Sequence, residues 1–214
     1  NKHYNLKIPL MVYGCFGIGK SEIIRETTKE IAKEKNKEFI DWNYISDGEK
    51  KALIGNTKGK FLLCDERLSQ QEPSDLKGLP VFVDGFTDWK VPLLYRVLSE
   101  PEADGILFFD EINTATPMMM NACLQIIHDR CVGNIALSKY IGIFGAGNRG
   151  AIDKSSTFEE PFPLKDRKSE VELKSPDVDS WSDWGLSNGH LIDSRIISFL
   201  HFKPSRILVV DSKS

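Results

Sequence analysis

The chain has 214 residues, 41% of them hydrophobic and 28% charged, with a formal net charge of −3. That length and balance suit one substantial globular core with at most a small appendage; they argue against a disordered chain and give no bulk electrostatic case for nucleic acid. The longest apolar runs, such as Ile106–Phe109, fall far short of the roughly eighteen residues a bilayer crossing needs, and no basic-then-apolar leader opens the sequence, so the expected compartment is the cytoplasm.

In chain order, the apolar stretch Ile8–Tyr13 reads as a strand. It runs into Gly14, Cys15, Phe16, Gly17, Ile18, Gly19, Lys20 and Ser21, which fit the phosphate-binding pattern G-x-x-x-x-G-K-[ST]. Glycines let the backbone turn its N–H groups onto a polyphosphate; Lys20 would supply charge to the β- and γ-phosphates, and Ser21 a hydroxyl to Mg²⁺. A helix is predicted from Ser21 to about Lys35, with Ile23, Ile24, Thr27 and Ile31 at helical spacing and its positive dipole end toward the anion. The alternating charges of Lys29–Glu38 read as a solvated helix face. Turn signals between Phe39 and Lys60 predict a hairpin or irregular insertion before a strand at Phe61–Cys64; whether residues 39–45 or 61–64 give the second sheet strand stays open. Phe82, Phe86 and Trp89 form either an exposed loop or a local hydrophobic cluster.

Gly105–Phe109 is an apolar run that ends in Asp110 and Glu111, as a buried parallel strand would. After a phosphate-binding loop, such a strand delivers an Asp to the Mg²⁺ shell, and the following Glu can orient and deprotonate a water. The stripe of Met118, Met119, Met120, Ala122, Cys123, Ile126 and Ile127 reads as core packing on one helix, and His128–Leu137 as the helix end followed by a hairpin turning at Gly133-Asn134. A third strand, Tyr140–Gly147, ends at Asn148, whose amide either fixes the water against Glu111 or simply forms a turn. Residues 151–180 read as a surface connection, and Trp181–Gly185 with Leu191–Phe202 as helices whose tryptophans anchor packing. Cys15, Cys64, Cys123 and Cys131 make no C-x-x-C pair and sit in or beside apolar sequence, which predicts reduced, largely buried thiols and argues against zinc.

The order of these blocks resembles the AAA+ ATPases, in particular the MoxR-like branch: Gly17–Ser21, Arg67–Gln70, Asp75–Pro80, Phe109–Asn113 and Ala146–Arg149, spread over about Ile8 to Leu208. The resemblance implies a three-layer αβα P-loop NTPase core with a central parallel sheet over 1–160, a connecting segment over 161–180 and the start of a small helical lid over 181–214. It implies Lys20 and Ser21 as Walker A residues, Asp110 and Glu111 as Walker B and Asn148 as sensor 1, with ATP and Mg²⁺ bound. It further implies ring assembly, usually hexameric, and remodelling of a protein client, often beside a partner with a von Willebrand factor A domain. Pro163–Arg167 resembles the segment carrying an arginine finger, although Lys168 follows where the family has an aromatic residue; Arg149 is the alternative, and a surface arginine the plain reading. The family's lid arginine, sensor 2, would fall beyond Ser214, so the lid is expected to be truncated or abbreviated, at a cost to hydrolysis more than to binding.

Three functional classes follow. The first is an ATP hydrolase with Glu111, Asn148 and Arg167 as its catalytic set. The second is a nucleotide-dependent scaffold without efficient hydrolysis. The third is a DNA-handling motor, which lacks support from any basic excess or nucleic-acid module. A small-molecule kinase fits Asp110, Glu111 and Asn148 less well than attack by water does.

Overall fold

A computed structural model describes residues 8–148, 157–158, 168–187 and 192–207. Its centre is a parallel sheet of six strands: β1 (Leu10–Tyr13), β2 (Glu38–Asp41), β3 (Lys60–Arg67), β6 (Asp104–Asp110), β9 (Tyr140–Gly147) and β10 (Ser169–Glu172), in the order β10-β1-β9-β6-β3-β2. Parallel strands buried on both faces need near-continuous apolar sequence, and β6 is buried at every position.

Successive side chains of each strand face opposite layers, and the two cores divide accordingly. Val12, Phe61, Leu63, Ile106, Phe108 and Ala146 pack with Ile24, Ile31 and Ala32 of helix α1 (Lys20–Glu34). Met11, Leu62, Cys64, Leu107, Phe109 and Ile143 pack on the other side with helices α4 (Leu93–Leu98) and α5 (Pro117–Asp129). Each large apolar side chain removed from water stabilises the fold by about 1.5–3 kcal/mol, so these two layers hold the sheet flat against its helices. The expected αβα sandwich is therefore present, with a short helical region after it formed by α6 (Val178–Ser187) and α7 (Ser194–Phe202).

Several elements differ from the sequence reading. Both candidate segments for the second strand are strands: β3 lies beside β6, and β2 takes the edge beyond it. The hairpin or irregular insertion expected between them is instead β2, a 3-10 turn at Trp42–Tyr44 and the short helix α2 (Asp47–Ala52), whose first turn is closed by a reciprocal capping box between Ser46 and Glu49. The stretch read as a surface connection supplies β10, which pairs with β1. Its sequence, Ser-Glu-Val-Glu, carries little hydrophobic signal because it is an edge strand with exposed positions.

The stripe on α5 is core as expected, except that Met118 is exposed. After helix α3 (Pro73–Lys77), strands β4 (Leu79–Val83) and β5 (Phe86–Lys90) form a separate hairpin, turning at Asp84 and Gly85 with positive φ at both. Phe82 is 88% and Phe86 78% exposed, which decides for an exposed hairpin over a local cluster. The second hairpin, β7 (Cys131–Val132) with β8 (Ile135–Ala136), turns at Gly133 as expected. Cys64 and Cys123 are buried free thiols, whose pKa burial pushes up, while Cys15 and Cys131 are half-buried. No helix among the described residues is long and apolar enough to cross a membrane.

In the centre of the sheet, an added Cβ at Gly105 would lie 2.2 Å from the Leu62 carbonyl oxygen and 2.7 Å from its nitrogen. Backbone cannot yield as a side-chain tip can. Gly105→Ala is expected to cost about 2 kcal/mol or more of stability in urea denaturation, and an unchanged midpoint would contradict this approach.

Candidate functional site

All of the strands that matter end at one edge of the sheet. Gly14 follows β1, Asp110 closes β6, and Asn148 follows β9; ligand sites of open parallel sheets form at this carboxyl edge. The loop after β1 turns directly into α1. Gly17 and Gly19 hold φ of +78° and +86° in open space, so glycine is required there by backbone conformation and not by room. Gly14 answers to a different constraint, since a Cβ would meet the Leu173 carbonyl oxygen at 2.7 Å. Phe16 at the tip is exposed, and Cys15 and Ile18 are half-buried.

Lys20 is buried, and its Nζ donates to the Gly14 and Cys15 carbonyl oxygens and to Asn148 Oδ1, each at 2.9 Å. These are neutral acceptors, which the charged oxygens of a phosphate outcompete. Beside it Ser21 Oγ donates to Asp110 Oδ2 at 2.7 Å, and Asp110 Oδ1 accepts from the Glu111 backbone N–H at 2.9 Å. The loop lysine, the loop serine and the acid of β6 thus converge, as the spacing predicts.

Glu111 sits at φ +56°, a left-handed conformation that costs a non-glycine residue about 1–2 kcal/mol. The turn is held by Ile112 N–H donating to the Ala146 carbonyl oxygen at 2.9 Å and by Thr114, whose N–H and hydroxyl both donate to the Glu111 carbonyl oxygen. Beyond the turn, Ser69 Oγ donates to Glu111 Oε2. Asn148 is buried and is clamped by a second amide: Asn113 Nδ2 donates to the Asn148 carbonyl oxygen at 2.8 Å, and Asn113 Oδ1 accepts from the Asn148 N–H at 2.9 Å. Gly147 permits this, because a Cβ there would meet the Tyr13 ring at 2.6 Å and Asn113 Oδ1 at 3.0 Å.

On the far side of Asp110, the end of β3 brings Asp65 onto the same sheet face. Burial, then the neighbouring Asp110 charge, pushes its pKa up to about 6, against the pull of Arg67 and Arg25. Burial also raises that of Glu66.

A cavity of about 590 Å³ opens beside the loop, walled by Gly17, Ile18 and Gly19 on one side and by Pro176, Trp181 and Trp184 on the other. The wall between them comes from α1, including Ile23 and Thr27, so these two helical positions face the cavity while Ile24, Thr28 and Ile31 face the core. The tryptophans, expected as packing anchors, line this cavity, and Trp184 is 48% exposed.

The oxygen pair Ser21 and Asp110 fits a hard divalent cation such as Mg²⁺, which takes one or two protein oxygens and completes its shell with phosphate and water. Arg167 and Arg149, the two candidate finger residues, lie outside the described residues. Ser69 and Asn113 fall within blocks quoted from the sequence, yet nothing in spacing reveals that one touches Glu111 and the other holds Asn148. Those contacts join segments far apart in the chain.

A parallel α/β sheet that delivers a glycine-rich loop, its lysine and an Asp-Glu pair to one edge is the P-loop fold. No family model matches the chain, and no curated protein matches it. Among solved structures, it is similar to a protein of Cytophaga hutchinsonii provisionally named an ATPase (15% identity, TM-score 0.49), covering 89% of this chain and 49% of that one. It is also similar to NtrX from Brucella abortus in complex with ADP (17%, 0.47; 95% and 40%) and to C. elegans PCH-2 (15%, 0.45; 91% and 44%). The chain thus spans less than half the length of each of these structures. At these values the functional reading rests on the chain's own geometry.

Asn113→Ala removes both partners of the Asn148 backbone, leaving a buried N–H and carbonyl unsatisfied. A loss of about 1–3 kcal/mol in denaturant titration is expected. A neutral result would mean that Asn148 is held by something else.

Proposed function

We propose that this chain is the nucleotide-binding core of an AAA+ ATPase of the MoxR-like branch, which binds ATP with Mg²⁺ and hydrolyses it. The observation that carries the reading is the convergence of Lys20, Ser21, Asp110 and Asn148 at one sheet edge, from three segments, with Ser21 Oγ 2.7 Å from Asp110 and Lys20 Nζ 2.9 Å from Asn148.

In this reading the loop from Gly14 to Gly19 cradles the phosphates with its N–H groups, and Lys20 exchanges its carbonyl partners for β- and γ-phosphate oxygens. Ser21 and Asp110 would hold the magnesium, which would neutralise phosphate charge. A water oxygen bonds to the γ-phosphorus as the bond from γ-phosphorus to the bridging oxygen breaks; that oxygen leaves with the electron pair on ADP, and Glu111 accepts the proton of the water. Asn148, kept rigid by Asn113, orients the water with its side-chain amide. The Ser69 hydrogen bond holds Glu111 until that geometry is reached. The cavity lined by Trp181 and Trp184 takes the base, since it adjoins Gly17 and Gly19 of the loop that would anchor the phosphates.

Arg167, or failing it Arg149, is proposed to reach the nucleotide of a neighbouring copy in a ring, usually a hexamer. The exposed hairpin carrying Phe82 and Phe86 supports contact with a protein client, and the resemblance of the motif blocks supports a partner with a von Willebrand factor A domain. A cytoplasmic location accords with this reading.

Phosphate release and nucleotide affinity, measured side by side, test the core of it. Glu111→Gln is expected to keep ATP affinity and lose about 10²-fold or more in turnover, while Lys20→Ala loses both. Turnover that survives Glu111→Gln would remove Glu111 as the base; binding without any turnover in the unaltered chain would favour the scaffold.

A further inference from the structure

The end of β3 carries a carboxylate that neither the phosphate-binding loop nor the hydrolytic set uses. Asp65 pairs in register with Phe108 of β6, and Asp110 lies two residues further along the same strand, so the two acids project from the same face of neighbouring strands. That face is the one α1 covers, because Phe61, Leu63 and Phe108 all pack against α1 residues. Asp65 therefore lies on the face where Ser21 meets Asp110, two residues before Arg67, which is the register partner of Asp110 itself.

Its backbone is fixed from outside the sheet. Asn43, in the turn after β2, donates from Nδ2 to the Asp65 carbonyl oxygen at 2.8 Å and accepts at Oδ1 from the Asp65 N–H at 3.0 Å. The side chain is treated in the opposite way: Asp65 Oδ1 is buried and has no hydrogen-bond partner. The nearby Arg25 pairs elsewhere, with Nε 3.0 Å from Asp41 and Nη1 3.3 Å from Glu22, and gives Asp65 Oδ1 no hydrogen bond. A buried carboxylate oxygen left without a donor, in a rigidly held residue beside a second acid, is costly unless a ligand completes it.

We infer that Asp65 is a positioning residue for the divalent cation, its free oxygen accepting a hydrogen bond from a water in the shell of the ion held by Ser21 and Asp110. The inference rests on the nucleotide reading above. Magnesium keeps several waters when bound, and the groups that orient such waters tune its affinity. A cation at this point also relieves the repulsion between Asp65 and Asp110.

The test is calorimetric titration of ADP into the chain and into Asp65→Asn, in EDTA and in MgCl₂. Asparagine keeps the shape and removes the charge. The gain in ADP affinity that magnesium confers is expected to fall about tenfold in Asp65→Asn, with the affinity in EDTA unchanged. Asn43→Ala, which frees the backbone of Asp65 without touching its charge, is expected to give a smaller loss of the same gain. In EDTA without nucleotide, Asp65→Asn is expected to melt at a higher temperature at pH 8, because the variant no longer sets two carboxylates against each other; a purely structural acid would give the reverse. An undiminished magnesium gain in Asp65→Asn would overturn this inference alone. Absence of ADP binding by the unaltered chain in both buffers would overturn the nucleotide reading, and this inference with it.

Discussion

The contact between the Ser21 hydroxyl and the Asp110 carboxylate ties the start of α1 to the end of β6, and much else in the molecule serves to place those two groups together. Ser21 is where it is because α1 lies along the sheet, and α1 lies there because Ile24, Ile31 and Ala32 bury against Phe61, Leu63, Ile106 and Phe108. A shift of α1 by one turn would carry the serine about 5 Å from the acid while exposing that apolar face. Packing of hydrophobic surface, which has no direction, is thereby converted into a directional polar contact.

Around this contact the polar residues fall into two kinds. Lys20 and Glu111 are held by partners that can be exchanged: carbonyl and amide oxygens for the lysine, a serine hydroxyl for the glutamate. Asn148 and Asp65 are held at their backbones by the side chains of Asn113 and Asn43, each through two hydrogen bonds. The first arrangement leaves groups able to change partners when charge arrives; the second keeps fixed the groups proposed to orient water. Preorganisation of this sort lowers the reorganisation that a reaction must otherwise accomplish. The left-handed backbone at Glu111 belongs with it, since strained turns persist where surrounding hydrogen bonds over-determine them.

The hairpin of β4 and β5 stands apart from this core. Its register is complete and its turn well suited to a tight hairpin, yet Phe82 and Phe86 expose most of their surface. Exposed aromatic side chains on an ordered hairpin are costly in water for the chain alone, which accords with the client-facing role proposed for it. Trp181 and Trp184 also present aromatic surface, enclosed enough to form a cavity beside the loop.

The sequence by itself determined the loop, its lysine and serine, the Asp-Glu pair and Asn148, because each is a local pattern at a strand end: an apolar run says where the strand stops, and the residue after it falls at the sheet edge. It likewise determined α1, α5, β6 and β9, whose periodicity or continuous apolarity is strong. Tertiary structure alone decided that β2 and β3 both join the sheet and that the polar segment Ser169–Glu172 closes its other edge, since edge strands owe their place to backbone pairing more than to burial. It alone turned Ile23 and Thr27 toward a cavity, gave Ser69 to Glu111, Asn113 to Asn148 and Asn43 to Asp65, and left one oxygen of Asp65 without a donor. Those pairings cross between segments distant in the chain, and a one-dimensional pattern records spacing along a chain, whereas a hydrogen bond depends on where two distant segments come to rest.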